Sequence, residues 1–115
     1  MLENVIDARG LEIRSTAALL KNALFFVGLE GGLMHLSKAV GTRSVIIYGG
    51  ALKPQITGYT ENLNIASSPE CGPCFHSYKK NTLCPTMICM KMITPGYVSK
   101  QIKEHLNKEL KYNEN

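Results

Sequence analysis

The sequence predicts an α/β fold. Two short apolar runs, Leu24-Phe25-Phe26-Val27 and Ser44-Val45-Ile46-Ile47-Tyr48, are each followed by glycine and have the look of buried strands. Between them Leu33, Leu36 and Val40 recur at helical spacing, and glycines sit at every junction. Strand, turn, helix and strand in that order make a compact βαβ unit, with parallel strands and a right-handed crossover. At 115 residues and 44% hydrophobic, the chain suits a single domain over 1–115 with a packed core.

Arg14 to Ala23 is rich in helix formers, and Ser15 stands where a hydroxyl would accept from an orphan backbone N–H, so a short helix is expected. Leu24 to Val27 follows as a strand buried on both faces and stopped by Gly28. Leu29-Glu30-Gly31-Gly32 is a turn. The helix from Leu33 to Val40 has Gly41 as its C-terminal cap. Ser44 to Tyr48 is β-branched and apolar and ends at Gly49-Gly50. Lys53-Pro54 and Thr57-Gly58 signal turns, and Asn62 to Ala66 a third short strand. Pro69 to Pro95 holds four cysteines, three methionines and four prolines without periodicity, which predicts an irregular cysteine-rich segment over 71–93. Thr94 as N-cap and Pro95 at the first position open a last helix, 94–110, with Val98, Ile102, Leu106 and Leu110 along one side. Lys111 to Asn115 is expected to fray.

Thirteen Lys and Arg against nine Asp and Glu leave a net charge of +4, of the sign that favours anionic ligands but weak for a dedicated nucleic-acid binder. No acidic residue falls between Glu70 and Glu104, where Lys79, Lys80, Lys91, Lys100 and Lys103 lie. That run is either a cationic face or an ordinary solvated one. No apolar run is long enough to span a bilayer, and the Met1 end lacks the order of a signal peptide, so the cytoplasm is the expected location. In a reducing compartment the cysteines are thiols or metal ligands before they are disulfides.

Gly31 and Gly32 leave the backbone bare where a helix begins. Unsatisfied N–H groups and the positive end of the helix dipole meet there, at the carboxyl end of a parallel strand, which makes a phosphate cradle. His35 lies in the first helical turn, and Glu30 could accept from a ligand hydroxyl or cap the helix. The bland reading is a tight turn that needs glycine, beside a packed histidine. His76 and His105 rank lower, His105 as a solvated residue of the last helix. Cys71-x2-Cys74-x9-Cys84-x4-Cys89 offers four soft ligands that could hold structural zinc if the loop folds back. A zinc ribbon would separate its two close pairs by roughly 15 to 20 residues, so buried or surface thiols compete with that reading.

Phe26 to Gly49 resembles the nucleotide-sugar signature of the glycosyltransferase family 9 heptosyltransferases: an apolar strand, Asp-Ser/Thr-Gly-x-x-His, an alanine-rich helix, and a strand ending in Tyr/Phe-Gly. Asp7-Ala8-Arg9-Gly10 with Ser15-Thr16 is similar to the turn and helix before it, and Cys71-Gly72-Pro73-Cys74-Phe75, Cys84-Pro85, Cys89-Met90 and Ile93-Thr94-Pro95 to Val98 to a cysteine-bearing segment of many members. The resemblance covers about Asp7 to Leu106. It implies a Rossmann-like parallel sheet with flanking helices, the C-terminal donor-binding half of a GT-B glycosyltransferase of lipopolysaccharide-core biosynthesis, acting at the inner face of the membrane. It further implies that Gly31, Gly32 and Leu33 meet the diphosphate and sugar of an ADP-heptose-like donor with His35 close by, and that Gly10 to Glu12 lie near the adenine. Glu30 stands in place of the family's Asp, and Gly31 in place of its Ser or Thr.

The resemblance also implies an N-terminal domain that binds the acceptor and supplies the base. The chain has no counterpart to it, so it is not expected to turn over alone, and it requires no cofactor. Two other functions remain open at this point. One is a four-cysteine zinc module binding nucleic acid or protein, which the absence of Arg after Arg43 disfavours. The other is a remnant that folds and binds nothing.

Overall fold

Three parallel strands form one sheet in the order β1 (Phe26–Leu29), β2 (Ser44–Tyr48), β3 (Leu63–Ala66). The structure is a computed structural model that describes residues 3–71, 74, 84 and 86–114, with side chains as far as Lys108. His76, Phe75, Tyr78, Lys79 and Lys80 lie outside the described residues. Leu29 pairs with Ile47, and Tyr48 with Ala66, so the strands finish together at one carboxyl edge. The β-branched Val45-Ile46-Ile47 run takes the middle of the sheet, where it is covered on both faces. The expected parallel βαβ unit is present, and the architecture is α/β with flanking helices.

Helices α1 (Ile13–Lys21), α2 (Gly32–Ala39) and α5 (Pro95–Glu114) flank the sheet, with single turns at α3 (Pro54–Thr57) and α4 (Ile88–Lys91). Helix α2 lies on β1 and β2. Its Met34 is fully buried with Ile46 and Tyr48, and Phe26 and Tyr59 pack against that cluster. On the other face Val45 shares a cavity with Ile102 and Leu106 of α5. Gly41, at φ 78°, ends α2 as the sequence predicts: its N–H reaches the Lys38 carbonyl (3.1 Å) and the Thr42 N–H the Ser37 carbonyl (2.9 Å), the paired bonds of a Schellman cap. Thr94 also caps as expected, its Oγ1 accepting from the Tyr97 N–H at 3.2 Å.

Several expectations are corrected. Ser15 is not an N-cap. The N-cap position falls three residues earlier, at Glu12, whose side chain makes no cap bond, and the Thr16 hydroxyl donates to the Glu12 carbonyl at 2.9 Å instead. The first strand does not stop at Gly28. Pairing with β2 carries it to Leu29, and Gly28 fits inside because the Phe26 ring lies across it, where a Cβ would fall 2.3 Å from Phe26 Cζ. Nor is β1 buried on both faces: it is an edge strand, with Val27 44% and Leu29 62% exposed. The Lys53-Pro54 turn is the start of α3, and α4 is one helical turn within the segment read as irregular. The last helix runs to Glu114, past the expected fraying point.

Candidate functional site

Strand β1 ends at Leu29, and Glu30 leads into Gly31, whose φ of 156° and ψ of −166° fall in a region open to glycine almost alone. That bend turns the chain from the strand into α2, which starts at Gly32. Among the described residues no side chain caps α2, so Glu30 does not serve as its cap. A Cβ added at Gly31 or Gly32 would meet nothing within 4 Å, and Leu33 is 47% exposed. The bend therefore faces open space. The first-turn N–H groups of α2 have no intrahelical acceptor, and they stand with the positive end of the helix dipole on that open side.

His35 follows on the exposed side of α2. Its Nδ1 lies 2.7 Å from the Tyr59 hydroxyl, and the two rings meet edge to face at 5.6 Å. Lys38 pairs with Glu61, and its ammonium sits 5.4 Å from the centre of the Tyr59 ring. The Lys38 hydrogen bond holds the Glu61 carboxyl below its ordinary value of 4.5. Together these contacts fasten α2 to the loop between α3 and β3. Glu30, Gly31, Gly32, Leu33 and His35 thus form one continuous turn. Gly10 stands in a separate turn ahead of α1, at φ 83° and open to solvent. Beside it the Arg9 guanidinium donates to Asp7, which lowers the Asp7 pKa and raises that of Arg9.

Of two features beside the turn, the first had no local signal and the second gathers a set that the sequence spacing had marked. A cleft of about 810 Å³ opens at the carboxyl ends of β2 and β3 and reaches the turn through Tyr59. Next to it, a cavity of about 260 Å³ is lined by all of Cys71, Cys74, Cys84 and Cys89. Cys71, Cys74 and Cys89 are free thiols, and Cys84 Sγ accepts from the Met87 N–H at 3.4 Å. Met87 and Met90 line the same cavity. Among the described residues no three His, Cys, Asp or Glu side chains gather closely enough to hold a metal ion. The segment is strapped to the sheet: the Cys74 N–H donates to the Gly50 carbonyl (2.8 Å), and the Ser67 hydroxyl to the Cys89 carbonyl (2.7 Å). Among the described residues no helix is long and apolar enough to cross a membrane.

An open parallel α/β sheet with a bare glycine turn and a cleft along its carboxyl edge belongs to the class that takes ligands at that edge. The family model for glycosyltransferase family 9 (heptosyltransferase) matches residues 8–84, more than half of the chain, and the chain belongs to that family. Among solved structures it is similar to the crystal structure of the dodecameric iron-containing heptosyltransferase TibC in complex with ADP-D-beta-D-heptose. The TM-score is 0.69 at 24% identity over 85% of this chain, which shows a shared fold. The chain spans 28% of the length of TibC. No curated protein matches it. Nothing in these comparisons supports the zinc module with a nucleic-acid or protein partner.

Proposed function

We propose that this chain is the donor-binding, C-terminal GT-B part of a heptosyltransferase, with the main-chain amides of Gly31, Gly32 and Leu33 receiving the pyrophosphate of an ADP-activated heptose. One observation carries the reading: the bend before α2 is uncapped and opens outward, leaving its N–H groups available to an anion. The ADP-heptose in TibC supports the choice of donor. As the glycosyl C–O bond breaks, the electron pair stays with the departing ADP oxygen, and amides already aimed at the phosphates stabilise that growing charge without reorganising. His35, steadied by Tyr59, is placed to donate to a phosphate oxygen, and Glu30 to accept from a sugar hydroxyl. Gly10 marks the turn proposed to lie near the adenine. The acceptor, from the lipopolysaccharide core, and the base that takes its proton would belong to another domain, so the chain by itself is proposed to bind donor without transfer. Its setting is the cytoplasm, at the inner face of the membrane.

The test is a thermal-shift titration with ADP, UDP and ADP-heptose. ADP-heptose is expected to raise Tm most, because binding to the folded state alone must stabilise it. His35→Ala is expected to shrink that rise more than His105→Ala, whose residue lines a cavity with Arg43 and Ser44 at the opposite, amino edge. No rise with any of the three would remove the donor reading, and equal losses in the two variants would move the site away from the turn.

The four cysteines on one cavity favour a second assignment on the same chain: Cys71, Cys74, Cys84 and Cys89 as ligands of iron, the metal named for TibC. Four thiolates suit iron in donor type and number, although the ion would have to draw them together. Its contribution would be a crosslink within the cysteine segment, joining Cys71 and Cys74 to Cys84 and to Cys89 of α4. Anaerobic loading with Fe(II) followed by desalting is expected to leave about one iron per chain, lost in the Cys74→Ser, Cys89→Ser double variant. Complete removal of iron by desalting would overturn it.

A further inference from the structure

The cleft beside the turn is larger than the two cavities described above. Its volume of about 810 Å³ compares with 290 and 260 Å³ for them, and it lies within the size range of small-molecule sites. It opens where β2 gives way to Gly49-Gly50 and β3 to Ser67-Ser68, at the carboxyl edge of the sheet. Among the described residues Lys53 is its one cation, Gln55, Thr60, Asn64 and Ser68 bring amides and hydroxyls, and no carboxylate lines it. Lys53 is exposed and makes no ion pair among the described residues.

Asn64 gives the cleft a direction. Its Nδ2 donates to the Tyr59 carbonyl at 3.0 Å, which fixes the amide orientation, because the flipped amide would set oxygen against oxygen. Oδ1 is then left buried without a donor among the described residues. A buried acceptor in that condition favours a donor brought by a ligand, and hydroxyl groups supply donors. Tyr59 belongs to the same wall. Its hydroxyl is meanwhile held against His35, so the cleft and the glycine turn are neighbours that share Tyr59.

The geometry points to a second ligand subsite in this cleft, distinct from the pyrophosphate turn, that takes a phosphorylated saccharide. Lys53 meets the phosphate, Thr60, Ser68 and Gln55 meet hydroxyls, and Asn64 Oδ1 accepts from one hydroxyl. The subsite does not depend on the donor reading, since none of Gly31, Gly32 or His35 lines the cleft.

Amide chemical shifts of the full chain test this with D-glucose 6-phosphate, D-glucose, inorganic phosphate and ADP as separate probes. D-glucose 6-phosphate is expected to shift Gly50, Lys53, Ser68 and the Asn64 side-chain amide saturably. Glucose and phosphate each lack half of the recognition and should bind about tenfold more weakly or worse. Lys53→Gln, an exposed substitution that keeps the stem, is expected to weaken D-glucose 6-phosphate about tenfold, the worth of one charge-assisted hydrogen bond. ADP should shift Gly31 to His35 and be unaffected by Lys53→Gln. If ADP fails to bind while D-glucose 6-phosphate still shifts the cleft, the donor reading falls and the subsite stands. No response to D-glucose 6-phosphate, shifts confined to Gly31 to His35, or inorganic phosphate acting as strongly as the sugar phosphate would each overturn the subsite.

Discussion

Gly31→Val is expected to abolish the thermal response to ADP-heptose while the chain remains folded. Two properties of the position separate those effects. A Cβ there meets nothing within 4 Å, so the substitution creates no collision in the core. The backbone at φ 156° and ψ −166° is, however, one that a β-branched residue does not hold, and keeping it would cost about 1–3 kcal/mol. The chain relieves that strain by rotating the peptide that joins the bend to α2, and the Gly32 and Leu33 amides rotate with it. A donor at about 100 times its Kd would stabilise the folded state by about 2.7 kcal/mol, roughly 10 °C in Tm for a chain of this size. Gly31→Val should remove all of that rise, whereas Gly32→Ala, at a helical position, should reduce it only in part. A full rise in Gly31→Val would mean that the pyrophosphate is bound elsewhere.

What the sequence made legible follows the range of the interactions concerned. Strand β2 was readable to the residue, because a middle strand covered on both faces needs an unbroken β-branched run and Ser44 to Tyr48 is one. The Gly41 cap and the Thr94-Pro95 start are local chemistry and were equally plain. The exposure of β1 was not: Leu24 to Val27 is as apolar as a central strand, and only the sheet order shows that none of the described residues pairs with its far side. Helices α3 and α4 are single turns, too short to display a period, and Met87 enters α4 at φ 50°, a conformation its side chain does not advertise. The turn itself was visible in the paired glycines. Tyr59 was not, because its contact with His35 crosses 24 positions. The cysteine spacing identified a set, and only the fold shows that all four border one cavity beside the cleft.

Met34→Ala is expected to produce the largest loss of stability, about 2–5 kcal/mol, read as a lower midpoint in urea. The core around α2 is small: Met34, Ile46 and Tyr48 are its buried members, and Met34 is fully enclosed. Truncation leaves a void beneath α2 and takes the sulfur from the Tyr48 hydroxyl, which lies 3.6 Å from Met34 Sδ and 3.3 Å from Thr57 Oγ1. Small domains hold only about 5–15 kcal/mol in total, so this one site commands a large share. Met92→Ala is the control, since Met92 is 50% exposed and its loss should stay within about 0.5 kcal/mol. Met34→Leu, which nearly conserves volume, should cost less than about 1.5 kcal/mol. Because Met34 lies two residues beyond Gly32, the same void loosens the seat of the anion turn, and Met34→Ala should weaken donor binding where Met34→Leu largely preserves it. Equal midpoints for Met34→Ala and Met92→Ala would show that α2 is not anchored by this side chain.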